Sequence, residues 1–215
     1  MSQKTTLVIV VTLVLASFLA GVILWNSMPD AMASHWGTDD QVNGYMPKFW
    51  GLFMVPLMTA GMLALFMLIP LIDPLKANIA QFREYFNGII VLITVFMLYV
   101  HVLTLAWNMG ATNFRLSAAL LPAMGLLFVF MGLMISKAKR NYFIGIRTPW
   151  TLSSDSVWDQ THRVGGKLFI ASGVLALLGA FFPGQAIWFI MVPVMGSSLF
   201  TVGYSYYVYQ RELKA

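Results

Sequence analysis

Cysteine is absent from all 215 residues, which excludes a disulfide framework, a thiolate metal site, an Fe–S cluster and thiol catalysis. Charge is scarce as well. Lys and Arg number 13 and Asp and Glu 8, together 10% of the chain, against about 25% in a soluble domain. In their place stand a 59% hydrophobic composition and a mean hydropathy of +0.77. That is more apolar material than a soluble core of this size can cover with a polar skin. The H-E-x-x-H, G-x-S-x-G and phosphate-cradling glycine patterns are missing too. A soluble enzyme, a disordered chain and a disulfide scaffold are therefore excluded.

The apolar residues fall into six runs, Thr5–Leu24, Phe49–Ile72, Asn87–Met109, Leu116–Ile135, Lys167–Phe182 and Ile187–Tyr209. A helical crossing needs about 20 residues, and the fifth run is the shortest. All six read as helices, because a backbone in lipid must satisfy its own hydrogen bonds and the alternation of barrel strands is missing. The first run lacks a small-residue cleavage site and reads as an anchor. Pro183-Gly184-Gln185 reads as a tight turn between the last two. Of the 13 basic residues, only Lys48 and Arg115 fall on one side of this arrangement. The positive-inside rule then puts both termini in the cytoplasm. The net charge of +5 thus reflects topology, and no contact with nucleic acid is implied.

The expected fold is an all-α integral protein of the plasma membrane. It is a bundle of six transmembrane helices, N-in and C-in, with a structured outer connection over 25–48 and a structured inner one over 136–167. Residues 1–72 form a two-helix unit and 73–215 a four-helix unit within one membrane domain. Ser17-x-x-x-Gly21 offers a close-approach face. Gly196, Ser197, Ser198, Thr201, Gly203 and Ser205 make the last span the most polar, which places it inside the bundle.

The outer connection contains Ser34-His35-Trp36-Gly37-Thr38-Asp39-Asp40 and Asn43-Gly44-Tyr45-Met46-Pro47-Lys48. Asn43-Gly44 is a turn signal, and Trp36 and Tyr45 suit a membrane interface. His35, Asp39 and Asp40 are workable ligands for a divalent cation, although acids of this kind more often only keep a loop in water.

The inner connection opens with Lys137, Lys139 and Arg140 at the membrane face. Thr148 precedes Pro149 and is pushed to an extended conformation. Ser153 or Ser154 can cap a short helix over Asp155–Arg163. On it Asp155, Asp159 and His162 share a face, and Asp159 reaches Arg163. Gly165-Gly166 then ends the turn. The Asp/His face fits a general acid–base pair or half a metal site, while helical carboxylate–His–Arg groups are more often structural. Within the spans, His101 is the one ionisable residue well inside the hydrocarbon. It is either a functional group or a neutral ring bonded to a hydroxyl such as Thr104.

The stretch Asn141-Tyr-Phe-Ile-Gly145-Ile-Arg147-Thr148-Pro149-Trp150-Thr-Leu-Ser-Ser, followed by Val157-Trp158 and Thr161-His162-Arg163-x-Gly165-Gly166-x-Leu-Phe169, closely resembles the SdpI family. These are bacterial membrane proteins that give immunity to the sporulation-delaying-protein toxin. The outer frame His35-Trp36 and Gly44-Tyr45-x-x-Lys48 resembles a domain of unknown function that commonly precedes this signature. Gly37, Asp40, Val42 and Asn43 depart from its usual turn residues. The resemblance implies binding of a secreted membrane-active peptide toxin and, as in the best-known member, sequestration of a cytoplasmic autorepressor. No cofactor is implied. Two rivals stay open: a small transporter or proton pathway through His101, and a membrane enzyme using Asp155, Asp159 and His162. The spans carry no acidic residues and the chain has no evident repeats, which counts against transport, and no nucleophile supports the enzyme.

Overall fold

The computed structural model describes residues 1–182 and 184–214. Helix α1 (Gln3–Ile23) leads through a short 3-10 turn at Trp25–Ser27 into strands β1 (Ala31–Trp36) and β2 (Val42–Pro47). Helices α2 (Lys48–Ile72), α3 (Lys76–Gln81), α4 (Arg83–Asn108) and α5 (Leu116–Lys137) follow, then α6 (Pro149–Ser153), α7 (Asp155–Gly179) and α8 (Trp188–Glu212). Among the described residues, α1, α2, α4, α5 and α8 are long and apolar enough to cross a membrane, and the chain is a multi-pass membrane protein. α7 has the length but not the composition, since Asp155, Asp159, His162, Arg163 and Lys167 occupy its first half. Its remainder is the fifth apolar run.

α1, α2 and α4 pack on one another, α4 on α5, α5 on α7, and α7 on α8. The connection 25–48 closes one end, hereafter the hairpin end, and residues 138–154 close the other, the loop end. The largest buried cluster runs from Val10 and Ile69 through Phe86 and Ile90 to Ile144 and Trp158, so the loop end is an extension of the helical core.

The fold is mostly helical, as expected of an all-α membrane protein, and the outer connection carries a short hairpin in which β1 and β2 pair antiparallel, with irregular register around His35. Three expectations are corrected. First, the hairpin turn lies at Gly37–Gln41 rather than at Asn43-Gly44. Gly37 N–H donates to the Gln41 carbonyl, Asp39 accepts from Gln41 N–H, and Asp40 takes the left-handed conformation (φ 61°) that Asp tolerates. Gly44 instead faces His35 across the ladder, where a Cβ would approach the His35 Cβ to 2.9 Å.

Second, Gly165-Gly166 does not end a helix; α7 runs unbroken through it. The glycines serve helix packing. A Cβ on Gly132 would lie 2.5 Å from the Gly166 carbonyl oxygen, and one on Gly166 2.7 Å from that of Gly132. Gly125 and Gly173 repeat the relation at 2.9 and 2.6 Å. Antiparallel α5 and α7 thus touch backbone to backbone at two levels, as small residues allow in lipid, where packing and Cα–H···O contacts replace hydrophobic drive.

Third, α8 lies at the edge of the bundle. Ser197, Thr201 and Ser205 are buried, and the Ser172 and Ser197 hydroxyls bond each other at 3.0 Å. Nothing lies within 4 Å of a Cβ built on Gly196 or Gly203, and Leu199 is 72% exposed. The polar residues divide between two faces, and only one meets protein. Of the turn Pro183-Gly184-Gln185, Pro183 lies outside the described residues.

Candidate functional site

At the loop end the backbone turns back on itself around Asn141, which is wholly buried. Its Oδ1 accepts from the N–H groups of Phe143 (2.9 Å) and Ile144 (2.6 Å), and its Nδ2 donates to the carbonyls of Lys139 (2.8 Å) and Ile144 (2.9 Å). One side chain thereby closes the turn. Asp73, at the end of α2, accepts from Tyr142 N–H at 2.9 Å and Leu75 N–H at 2.6 Å. Asn78 on α3 donates to the Arg140 carbonyl at 2.8 Å. Gly145 has φ +109°, and a Cβ there would collide with His162 Nε2, so glycine is needed twice over.

His162 is 1% exposed and stacks on Trp158, with ring centroids 3.9 Å apart. Its Nε2 accepts from Ile146 N–H at 2.9 Å and its Nδ1 lies 2.8 Å from the Trp158 carbonyl. That pairing fixes the neutral tautomer protonated at Nδ1. Burial pushes the ring pKa down to about 4, against smaller upward pulls from the Trp158 carbonyl and Asp159. With both nitrogens engaged, the ring has no lone pair for a metal and no site for a shuttled proton.

The remaining signature residues lock the same unit. Thr148 is extended (φ −101°, ψ 162°) and caps α6 in a reciprocal capping box with Thr151. Its hydroxyl also donates to Ser205 on α8 at 3.0 Å. Pro149 opens α6, and Trp150 packs on Tyr206 with centroids 5.0 Å apart. Trp158 Nε1 donates to the Ala138 carbonyl at 2.8 Å. Ser154 caps α7, and Gly165 makes room for Ile146. Arg147 is exposed and donates to the Tyr142 carbonyl at 2.9 Å. Thr161 is buried with its hydroxyl unpartnered.

The shared Asp/His face does not become a site. Asp155 lies 2.8 Å from Arg140 Nε, an ion pair without a straight N–H···O bond, and Arg140 also donates to the Leu152 carbonyl at 2.9 Å. Asp159 pairs with Lys139 at 3.3 Å rather than with Arg163, which is exposed. A loop residue across the recess outcompetes the i+4 neighbour. The two acids face solvent while His162 turns into the core, and no three His, Asp or Glu side chains among the described residues are grouped to hold a metal ion.

The hairpin end is built differently. Asn108, closing α4, clamps Ala33: its Oδ1 accepts from Ala33 N–H at 2.7 Å and its Nδ2 donates to the Ala33 carbonyl at 3.0 Å. Asp40 accepts from the N–H (2.8 Å) and hydroxyl (2.7 Å) of Ser117 at the start of α5. Lys48 pairs with Asp30 at 2.9 Å and lies over the Trp25 ring, and that pairing lowers the Asp30 pKa. His35 Nδ1 bonds Asn43 Oδ1, so His35, Asp39 and Asp40 take separate partners and do not converge. Tyr45 points outward at 65% exposure.

Trp36 meets Trp107 edge to face at 5.7 Å, yet its Nε1 is buried without a hydrogen-bond partner. Beside it opens a cavity of about 320 Å³ lined by Ser34, His35, Met46, Trp50, Val100 and Thr104 among others. On its other flank lies one of about 200 Å³, lined by Gly37, Thr38, Asp40 and Ser117 among others. Between the ends sits His101, wholly buried with both nitrogens unpartnered. Its ring approaches the Ser17 backbone without making a hydrogen bond. Thr104 does not serve it: neither His101 nitrogen has a partner, and the Thr104 hydroxyl donates to the Val100 carbonyl at 3.0 Å.

Sequence reasoning missed Asp73, Asn78 and Asn108, and it read Ser205 only as part of a polar span; all four hold the two ends in place. Their only sequence signal is a polar residue at or near the end of an apolar run.

Residues 137–205, from the end of α5 into α8, match the SdpI/YfhL protein family. Residues 12–60, covering most of α1, the hairpin and the start of α2, match a domain of unknown function, DUF1648. The Immunity protein SdpI of Bacillus subtilis (strain 168) is 26% identical over 207 residues, 96% of each chain. No solved structure matches the chain. The resemblance read from the loop residues is thus borne out: in this multi-pass membrane protein, a segment similar to the SdpI/YfhL family follows one similar to DUF1648.

Proposed function

We propose that this chain is a toxin-immunity protein of the cell membrane, which binds a secreted membrane-active peptide and performs no bond chemistry. The observation that carries this reading is the end-to-end match, 96% of both chains, to a protein named for immunity. The state of His162 supports binding over catalysis, since its two nitrogens are committed to Ile146 and Trp158. Expression in a host sensitive to the sporulation-delaying-protein toxin tests it directly. Survival should rise with expression of the chain, and survival equal to that of the empty vector would sink the reading.

In this reading the protein crosses the membrane six times, α7 completing the set between α5 and α8, with both termini in the cytoplasm. The hairpin end then faces outward, toward an arriving peptide. The exposed Tyr142, Arg147 and Arg163 of the loop end face a cytoplasmic partner such as an autorepressor. The two-helix unit 1–72 and the four-helix unit 73–215 act as one membrane domain. Single cysteines at Thr38 and Ser154 test the orientation in intact cells with an impermeant thiol reagent. Thr38 should label and Ser154 should not; the reverse pattern inverts the topology.

A further inference from the structure

α4 and α5 touch closely over only part of their length. Toward the loop end, Phe130 seats over Gly88, where a Cβ would approach the ring to 2.6 Å. One turn nearer the hairpin end the helices part, and a groove of about 540 Å³ opens between Leu92 and Tyr99 on α4 and Ala118, Ala119, Pro122 and Ala123 on α5. The three alanines and the proline are too short to reach across, while the neighbouring glycine face of α5 is held backbone to backbone by α7. From Leu92 to Tyr99 the groove runs about 10 Å along the helix, within one leaflet of a hydrocarbon core about 30 Å thick. Its one polar side-chain group, the Tyr99 hydroxyl, already donates to the Ala119 carbonyl at 3.0 Å. An occupant is therefore offered shape and apolar contact but no hydrogen bond.

Arg115 stands at the head of the same face of α5. Ala118, Ala119, Pro122 and Ala123 follow it by three, four, seven and eight residues, the spacing of one helical stripe. Arg115 is exposed and makes no ion pair among the described residues, whereas Lys48, the other basic residue at the hairpin end, is paired with Asp30. Asp40 also lies at the start of α5, but Ser117 holds it, two residues on and so on another face. We propose that the α4–α5 groove is a binding site for an anionic phospholipid of the leaflet next to the hairpin end: one acyl chain lies between the helices and Arg115 pairs with the headgroup phosphate. Depth and lining argue the chain, since a peptide strand would leave its amides without partners there. The unpaired guanidinium argues the headgroup. A zwitterionic headgroup brings its own cation to compete for the phosphate, so a net anionic lipid is preferred. None of this depends on the toxin-immunity reading.

The test uses the full chain purified in detergent and native mass spectrometry, with dioleoyl phosphatidylglycerol or dioleoyl phosphatidylcholine as the added lipid. Wild type should retain phosphatidylglycerol about tenfold more tightly than phosphatidylcholine, the scale of one charge-assisted hydrogen bond. Arg115→Gln should bind the two lipids alike, at the wild-type affinity for phosphatidylcholine. Ala123→Phe fills the groove from α5 and should weaken both lipids; Val95→Trp, on the opposite wall, does the same from α4 should Ala123→Phe fail to fold. Arg163→Gln removes an exposed arginine at the loop end and should match the wild type. A preference for phosphatidylglycerol that survives Arg115→Gln overturns the site, as does wild-type retention of both lipids in the groove-filling variants. Equal retention of the two lipids by the wild type also overturns it and reduces the groove to ordinary solvation by the bilayer. A wild-type dimer that is lost in Ala123→Phe assigns the groove to a second copy of the chain and overturns the proposal.

Discussion

Trp158 and Trp36 are both tryptophans whose indole nitrogens are buried, one at each end of the same bundle, and they differ in what those nitrogens touch. Trp158 donates to the Ala138 carbonyl, stacks on His162 and lies in the largest buried cluster. Trp36 has an edge contact with Trp107, a cavity on either flank and no acceptor. At the loop end most of the recognisable residues' polar atoms are paired within the unit, the Thr161 hydroxyl excepted. At the hairpin end the indole N–H is covered by protein but has no acceptor, and empty space lies beside the ring. A strong sequence signature can therefore mark a part of a protein that is held together by its own polar groups.

This contrast is open to experiment. The largest effect belongs to the helix seam beneath the loop. Gly166→Val puts side-chain atoms against the Gly132 backbone and Ser136, and backbone cannot yield. A loss of about 3 kcal/mol, at the upper end for overpacking, should appear as a lower melting temperature or failed expression. Wild-type melting would show that α5 and α7 are farther apart than described.

Next is acid lability. Free histidine protonates near 6.5, while His162 stays neutral down to about 4. The unfolded chain therefore binds the extra proton first as pH falls, and stability drops between those values and is constant above them. The full loss is at most about 3 kcal/mol. Melting curves from pH 7.5 to 4.5 should show it, and His162→Leu, melting lower at neutral pH, should flatten the profile. An equally steep profile in the variant would assign the lability to another group.

Of the two tryptophans, Trp158→Phe should cost about 2 kcal/mol, since it strands the buried Ala138 carbonyl. Trp36→Phe should change stability by less than about 0.5 kcal/mol, because it removes a donor that has no partner. Equal losses in thermal unfolding would erase the distinction between the ends. A small effect also belongs to Arg147→Lys. The lysine keeps the charge but loses the guanidinium fork that reaches the Tyr142 carbonyl, and about 1 kcal/mol or less should be lost from this exposed position. A variant indistinguishable from wild type in melting and protection would leave Arg147 as a marker of the membrane face.

The helices at Thr5–Leu24, Phe49–Ile72 and Leu116–Ile135 were legible because hydropathy adds along the chain and needs no partner. Thr148 before Pro149 and Ser154 ahead of α7 were legible because both act on their own neighbours. Gly165-Gly166 was not, since in water the pair reads as a turn and in lipid as a place where another helix fits. Asn43-Gly44 carried the right residues for a hairpin turn, but the turn went to Gly37–Gln41, where Asp39 and Asp40 supply the local bonds. Asp73 bonding Tyr142 and Thr148 bonding Ser205 join residues 69 and 57 positions apart, and no local pattern encodes such distances. The cavities beside Trp36 are least legible of all, as the hairpin must meet several helix ends to make them.

The polar first half of α7 has a consequence for how the molecule is made. Membrane insertion sorts segments one at a time by apolarity, and α7 does not qualify on its own, whereas α5 before it and α8 after it do. What α7 offers instead is a glycine face cut to fit α5. In the six-crossing reading, its entry into the bilayer is expected to be helped by α5, already there, and completed when α8 arrives. A chain truncated before Trp188 and fitted with a glycosylation reporter should show α7 stalled at the membrane surface, and full insertion without α8 would remove the need for such help.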